Sequence, residues 1–237
     1  QHLPLYLDAG LRVYKLGEAA HVDLAEFSLK GKRRANLRHG CSRAEREGLS
    51  FELIAVERVP EVLPELRAIS DAWLRGHDAA EKGFSLGAFD EAYLRRNPVG
   101  VLRKEGAIVA FANLLSTEAR VEASIDLMRQ SEQAPPGTMD YLFVQLILHC
   151  QAQGFQRFGL GMAPLSGMAE HPLAPNWHRF GRLLFAHGEN FYNFQGLRSF
   201  KEKFDPVWEP RYLAAPGGVT PLIVLTDIAA LISGGLR

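Results

Sequence analysis

The feature that most constrains the fold is residues 99–154, where three strand patterns are followed by an apolar helix. The stretch "VGVLRKEGAIVAFANLLS" has a strand pattern on each side of Glu105-Gly106, a dipeptide typical of a hairpin turn. A third strand pattern follows in "RVEASIDLMRQ", and "YLFVQLILHCQAQG" is apolar almost all round, which predicts a buried helix. Antiparallel strands beside a buried helix predict a mixed α/β or α+β domain.

Other strands and helices alternate on both sides of this region. Helices are predicted for "LPLYLDAG", for a basic run that ends at Gly48 and for "VPEVLPELRAISDAWLRGH", and strands for "LRVYKLG", "FELIAVERV" and "FQRFGLGMA". The apolar tail "TPLIVLTDIAALIS" is too short to span a membrane and predicts either a helix on the core or one on a membrane surface. Residues 1–30 are predicted to end a preceding domain and residues 31–237 to form one domain. The chain begins without Met, which predicts a piece of something longer.

Bulk composition excludes few functions. The formal net charge of the 237 residues is zero, so net charge gives no argument for a nucleic acid or an anionic membrane. The two cysteines lack metal-ligand spacing, which favours a reducing compartment, and the scattered histidines form no metal motif. No apolar run is long enough to cross a membrane as a helix.

Positive charge is concentrated locally. Residues 30–46 hold seven Lys or Arg side chains against one Glu, an excess that a neutral solvated helix face does not need. Phosphate contact is the functional alternative to a solvated face. The candidate residues for that contact are Lys32, Arg33, Arg34 and Arg38.

Two charged residues stand in the apolar strand "SIDLMR". Asp126 and Arg129 are three positions apart, so they face opposite sides of the strand unless it bulges. Burying either charge without a partner is unfavourable. The pair is therefore predicted either to form an internal salt bridge or to line a cleft that requires a carboxylate and a guanidinium.

The loop "QAPPGTMD" leads into the buried helix. Thr138 is a candidate N-cap, and Asp140 would lie in the first turn, where a carboxylate is favoured. Capping is one role for Asp140. The alternative is an anion site, because free backbone N–H groups point outward from a helix start.

The stretch "FYNFQGLRSFKEKFDPVWEPRYLA" places aromatic residues among charges. Arg198, Lys201 and Lys203 lie close in sequence to five aromatic residues. Aromatic and basic side chains together suit single-stranded nucleic acid or a lipid headgroup boundary. A packed aromatic core with a charged rim is the structural alternative.

Six blocks occur here in one order: "EKGFSLGAFDEAYL", "IVAFANLL", "SIDLMR", "APPGTMDYLFV", "GFQRFGLGMAPLS" and the aromatic stretch just quoted. On these blocks, from about residue 10 to residue 222, the chain resembles the catalytic domain of the phosphatidylglycerol aminoacyltransferases, the multiple peptide resistance factor family. The resemblance implies a GNAT-like acetyltransferase fold, the second of a tandem pair, with a remnant of the first.

The resemblance also implies an activity. The family transfers an alanyl or lysyl group from aminoacyl-tRNA to the headgroup hydroxyl of phosphatidylglycerol, which lowers the negative charge of the membrane and gives resistance to cationic antimicrobial peptides. It implies no cofactor, because "QAPPGTMD" lacks the RxxGxG/A-type loop that grips coenzyme A. The expected partners are aminoacyl-tRNA, phosphatidylglycerol, the membrane surface and an N-terminal transmembrane flippase domain of the same chain. The expected location is the cytoplasmic face of the bacterial inner membrane, with this fragment itself soluble.

Roles follow for single residues. Asp126 is expected to bind the aminoacyl amine or orient the nucleophile, and Arg129 to hold a lipid or tRNA phosphate. The other expected substrate contacts are Thr138, Asp140, Tyr192, Gln195, Arg198, Lys201, Lys203 and Glu209, with the basic run meeting tRNA or headgroups.

Three rival functions remain at this point. They are a coenzyme A-dependent N-acyltransferase, a tRNA- or membrane-binding module without activity, and an aminoacyltransferase of peptidoglycan bridges. The amino acid also stays open between lysine and alanine, with an Ala-, Arg- and Leu-rich composition favouring alanine by association only.

Overall fold

A computed structural model describes residues 2–77, 81, 87–168, 194–218 and 220–232. Its helices are α1 (Leu3–Asp8), α2 (Ala35–Arg46), α3 (Val59–Gly76), α4 (Glu91–Leu94), α5 (Thr138–Ala152), α6 (Phe194–Glu202) and α7 (Thr220–Ile232). The strands are β1 (Arg12–Asp23), β2 (Leu49–Ile54), β3 (Val99–Lys104), β4 (Ala107–Ser116), β5 (Glu122–Gln130), β6 (Arg157–Pro164) and β7 (Val207–Ala215). They form a mixed sheet in the order β2-β3-β4-β5-β6-β1-β7.

The chain divides into two compact units. One unit comprises residues 1–22 and 160–231, and the other comprises residues 23–159 and 232–237. The boundary predicted between residues 30 and 31 stays a prediction, since this division lies elsewhere.

In the second unit, β2 to β5 pair antiparallel, and the start of β6 pairs parallel to β5. The predicted hairpin is confirmed: Glu105 and Gly106 both have positive φ, 52° and 86°, which the two-residue turn between twisted strands requires. The predicted strand "FELIAVERV" is too long. It ends at Ile54, a 3₁₀ turn covers Val56–Arg58, and α3 begins at Val59 with Pro60 in its first turn, a position that favours a helix start.

Helices cover both faces of this part of the sheet. On one face, Leu66 of α3 packs in a core cluster with Phe111 of β4 and Leu127 of β5. On the other face, α5 lies so close to β3 that a Cβ added at Gly100 would stand 2.8 Å from a methyl group of Leu146. Alternate residues of β3 therefore face α3 and α5, as the period of a strand requires.

The first unit contains β1, β7 and the apolar helix α7. Strands β1 and β7 pair antiparallel, with a register shift between Lys15 and Gly17. In α7, Pro221 is buried, whereas Ile223 and Leu231 are each 54% exposed, so the helix is not fully packed on the core. Of the helices described, none is long and apolar enough to cross a membrane.

Candidate active site

Asp126 and Arg129 both contact the chain segment between Trp73 and Tyr93. Asp126 Oδ2 accepts a hydrogen bond from the Tyr93 hydroxyl at 2.8 Å, and Arg129 Nη2 lies 3.3 Å from Glu81 Oε2. The salt-bridge alternative for the two β5 residues is therefore wrong, because each has a different partner. That they line a cleft stays a prediction.

Arg129 is enclosed on several sides. Its side chain is 12% exposed, its guanidinium carbon lies 4.3 Å from the centre of the Trp73 ring, and Nη1 donates to the Met128 carbonyl at 3.0 Å. Burial lowers the pKa of Arg129, and the nearby Glu81 carboxylate opposes that fall. Arg129 Nε is buried and has no hydrogen-bond partner within the described ranges.

Tyr93 is fixed by the short helix α4. Asp90 caps that helix by accepting a hydrogen bond from the Tyr93 backbone N–H at 2.7 Å. Burial and the adjacent Asp126 carboxylate raise the pKa of the Tyr93 hydroxyl. The hydroxyl therefore stays protonated at physiological pH and donates to Asp126.

The loop before α4 closes on Asp126 at Gly87. A Cβ added at Gly87 would stand 2.8 Å from both Cγ and Oδ2 of Asp126. Such distances are shorter than van der Waals contact, so only glycine allows this approach.

We expect Gly87→Ala to displace the Asp126 carboxylate and weaken its bond with Tyr93. If Asp126 acts on substrate, a displacement of its carboxylate by about 1 Å lowers kcat by about 100-fold, because reacting groups tolerate little misplacement. Steady-state kinetics would measure the loss. Gly40→Ala is the matched control, since nothing lies within 4 Å of its added Cβ. Equal kcat values for both variants would contradict the expectation.

A second charged cluster lies in the first unit, around Glu18. Arg198 Nη1 and Lys15 Nζ lie 2.7 Å and 3.0 Å from the Glu18 carboxylate. Burial acts to raise the pKa of Glu18, but hydrogen bonds from Arg198 and Lys15 outweigh it, and the pKa lies below its ordinary value. Arg198 also stacks on the Trp208 ring at 4.2 Å. The guanidinium predicted to contact phosphate is thus already bound to a carboxylate.

Lys201 is buried rather than at the surface. Lys201 is only 5% exposed, and its Nζ donates a hydrogen bond to the Met162 carbonyl at 2.7 Å. Burial lowers the pKa of Lys201 to about 8. Lys203, by contrast, is exposed, with Nζ 5.1 Å from the centre of the Phe200 ring. The predicted phosphate contacts of both lysines stay predictions.

The start of α5 differs from the predicted one. The N-cap is Gly137 (φ 87°) and not Thr138, which is the first helical residue. The Thr138 hydroxyl donates to the Pro135 carbonyl at 2.6 Å, and the residue at the N-cap is a glycine in the left-handed region, which glycine adopts readily. Asp140 lies in the first turn, as predicted. The anion site proposed for this loop stays a prediction.

The basic run is only partly helical. Helix α2 begins at Ala35, so Lys32, Arg33 and Arg34 precede it. Arg34 lies over the Phe27 ring at 5.1 Å, and Arg38 Nη1 donates to the carbonyls of Leu29 and Gly31 at 2.6 and 3.1 Å. Arg38 therefore holds the loop before the helix, and phosphate contact by this run stays a prediction.

Three other predicted contacts are less informative. Tyr192 and the side chain of Gln195 lie outside the described residues. Glu209 is on β7, where its carboxylate lies 3.0 Å from Arg211 Nη2 and 3.8 Å from His21 Nδ1. The described part of the chain contains no group of His, Cys, Asp and Glu that could hold a metal ion.

Comparisons with known proteins identify the family. The model of the family described as phosphatidylglycerol lysyltransferase, C-terminal, matches residues 1–215. The chain belongs to this family. The phosphatidylglycerol lysyltransferase of Bacillus subtilis (strain 168) is 42% identical over 215 residues, which cover 90% of this chain and 25% of that protein. The Staphylococcus aureus (strain COL) lysyltransferase is 37% identical over 214 residues, again 25% of its length. The chain thus spans about a quarter of these lysyltransferases.

Solved structures agree with this family. The C-terminal domain of an Agrobacterium fabrum protein assigned as a lysylphosphatidylglycerol synthetase is 51% identical, with a TM-score of 0.86 over 100% of this chain and 71% of that one. L-PGS from Bacillus licheniformis is 44% identical, with a TM-score of 0.84 over 98% and 70%. FemX is 9% identical with a TM-score of 0.59, a likeness of fold alone. The α/β fold class expected for the lysyltransferase family is confirmed, and its acetyltransferase-like character stays a prediction. The tandem arrangement stays a prediction.

Proposed function

We propose that this chain carries the aminoacyl-transfer site for modifying phosphatidylglycerol, with aminoacyl-tRNA as donor. The observation that carries the proposal is the match to the lysyltransferase family over residues 1–215. The Asp126 and Arg129 environment supports it, because a carboxylate and a guanidinium suit an aminoacyl ammonium and a phosphodiester.

The donor ester is already activated, so the reaction needs positioning more than covalent catalysis. The lipid hydroxyl oxygen bonds to the aminoacyl carbonyl carbon, and the bond from that carbon to the tRNA ribose oxygen breaks. The proton that leaves the lipid hydroxyl is balanced by the proton that the released ribose hydroxyl gains. Donors near the carbonyl oxygen would stabilise its developing negative charge.

Asp126 is proposed to bind the aminoacyl ammonium or to orient the attacking hydroxyl. The Tyr93 hydroxyl donates a hydrogen bond to Oδ2 at 2.8 Å, and the backbone at Gly87 lies close to the carboxylate carbon. These two contacts hold the carboxylate in one orientation, which is what a positioning role requires.

Arg129 is proposed to hold a phosphate of the lipid or of the tRNA end. Its stack on Trp73 and its bond with Glu81 fix the plane of the guanidinium. The Arg129 side chain stays 12% exposed, and a phosphate oxygen is proposed to approach through that exposed part while Nη2 stays with Glu81. A planar guanidinium suits this geometry better than a lysine ammonium.

We expect Arg129→Lys to weaken substrate binding without unfolding the chain. The lysine keeps the positive charge but loses the planar guanidinium and its stack on Trp73, so KM for the phosphate-bearing substrate rises by about tenfold or more. Arg67→Lys is the matched control, because the exposed Arg67 pairs with Glu91 at 2.9 Å and also lies over an aromatic ring. A variant at 129 with unchanged KM and kcat would remove the proposed role.

The remaining partners follow from the same proposal. Lysine is proposed as the transferred amino acid ahead of alanine, because the relatives are named lysyltransferases. We also propose the cytoplasmic face of the membrane as the site of action, an N-terminal transmembrane domain as partner, and resistance to cationic peptides as the outcome.

The donor can be tested directly against the coenzyme A alternative. The chain would be incubated with phosphatidylglycerol vesicles and either lysyl-tRNA, alanyl-tRNA or acetyl-CoA, and the extracted lipid analysed by mass spectrometry. The proposal predicts aminoacylated lipid from a charged tRNA and none from acetyl-CoA. Acetylated product, or binding of acetyl-CoA by calorimetry without aminoacyl transfer, would favour the N-acyltransferase alternative.

A further inference from the structure

Asp126 and Arg129 reach the same region only because β5 bulges. Residues three apart on a regular strand face opposite sides. Here Ala112 pairs with Met128 and Leu114 pairs with Ile125. One residue of β4, Asn113, therefore opposes two residues of β5, Asp126 and Leu127, which is a β-bulge.

The bulge brings the side chains of Asp126, Leu127 and Arg129 to the side of the sheet that faces α3. Phe111 pairs with Arg129, and Phe111 and Leu127 share the core cluster with α3. On a regular strand the Asp126 side chain would face the opposite side of the sheet from Leu127. Here its carboxylate accepts a hydrogen bond from Tyr93 of α4. The extra residue thus changes the side on which the carboxylate lies.

The Asn113 side chain occupies the bulge. Its Oδ1 accepts the backbone N–H groups of Asp126 at 3.2 Å and of Leu127 at 2.8 Å. These two amides belong to the residues that the bulge leaves outside the one-to-one register of the strands. Asn113 is fully buried, at 0% exposed. An apolar residue there would remove this acceptor from both amides, which is unfavourable in a partly buried strand.

Asn113 Nδ2 is buried and has no hydrogen-bond partner among the residues described. Burial and the Asp126 carboxylate raise the pKa of the Tyr93 hydroxyl, and the Asn113 side chain opposes that rise. A buried donor left unpartnered is uncommon in proteins and marks places where function offsets its cost.

We infer that Asn113 is a positioning residue that holds the β5 bulge and thereby places Asp126 on the same face of the sheet as Arg129. The kinetic part of this inference rests on the proposed function, and the structural part does not. Asn113 does not itself act on substrate in this account. It acts through the backbone of Asp126 and Leu127.

The structural part is tested by amide hydrogen exchange in the full chain. Asn113→Ala removes the acceptor, so exchange at Asp126 and Leu127 should quicken by about tenfold or more, while amides elsewhere in β4 and β5 keep their protection. Asn113→Asp keeps an oxygen at Oδ1 and should retain protection at both amides. Unchanged protection in a folded Asn113→Ala variant, or lost protection in a folded Asn113→Asp variant, would overturn the inference.

The kinetic part separates positioning from general destabilisation. We expect Asn113→Ala to lower kcat by about 100-fold with a much smaller change in KM, since the carboxylate is misplaced. Leu146→Ala, which truncates a buried side chain of α5, is the stability control and should keep its kcat per folded molecule. A folded Asn113→Ala variant with wild-type kcat would contradict positioning. If the unaltered chain transfers nothing, the proposed function fails, and the exchange experiment still decides the role of Asn113.

Discussion

Asp126→Asn is expected to reduce kcat/KM for aminoacyl transfer by roughly 100- to 1000-fold while the chain stays folded. The amide has nearly the shape of the carboxylate and can still accept the Tyr93 hydrogen bond that measures 2.8 Å in the structure. Only the negative charge is lost, so the ammonium of the aminoacyl group or the attacking hydroxyl loses its partner. The measurement is steady-state transfer with circular dichroism to verify folding.

The control for this variant is Asp227→Asn, which removes the same charge from an exposed position on α7. We expect wild-type transfer there. Wild-type transfer by a folded Asp126→Asn variant would remove Asp126 from the mechanism and leave the β5 site as a structural feature.

Lys201→Met is expected to stabilise the first unit at neutral pH. Burial lowers the pKa of Lys201 from an ordinary 10.5 to about 8, which corresponds to about 3 kcal/mol of disfavoured charge at lower pH. Methionine fills a similar volume without that charge. Thermal unfolding should show the gain, and the loss of the bond to the Met162 carbonyl, about 1 kcal/mol, offsets only part of it.

The stability difference between Lys201→Met and the unaltered chain should depend on pH. The folded pKa of Lys201 lies below its unfolded value, so its unfavourable contribution is fully present below about pH 8 and disappears as the pH rises toward 10.5. The stability difference between Lys201→Met and the unaltered chain should therefore shrink between those pH values. Lys203→Met, at an exposed position, should show no such change. A Lys201→Met variant less stable at pH 7 would contradict the account.

Activity of the same variant shows why a buried lysine is present. A gain in stability with a loss of transfer indicates that the charge is retained for function at the expense of folding. A gain in stability with unchanged transfer would remove Lys201 from the predicted substrate contacts.

Much of the fold could be predicted because its patterns are local. The turn at Glu105-Gly106 is specified by residues that accept positive φ, and α5 by its nearly continuous apolar sequence. The start of α3 at Val59 was predicted, but Val56–Arg58 was wrongly assigned to the preceding strand, because an apolar pattern alone does not separate a strand from the 3₁₀ turn that follows it.

The two charged residues of the candidate site could be predicted from the sequence, but their partners could not. Asp126 and Arg129 were found because charges in an apolar strand are unfavourable without a reason. Their partners Tyr93 and Glu81 come from a segment more than thirty residues earlier, and no local pattern joins them to β5. The bulge was named as a condition, but its existence depends on the register between two strands and on the Asn113 side chain.

The most direct test of the central claim is the transfer of radiolabelled amino acid from charged tRNA into chloroform-soluble phosphatidylglycerol. Lysyl-tRNA and alanyl-tRNA would be used separately, with the unaltered chain and Asp126→Asn in parallel. The account predicts label in the lipid from lysyl-tRNA, and a loss of that label in the variant. Label from alanyl-tRNA alone would correct the amino acid and keep the reaction. No lipid label from either donor with a folded chain would contradict the account and favour a binding module.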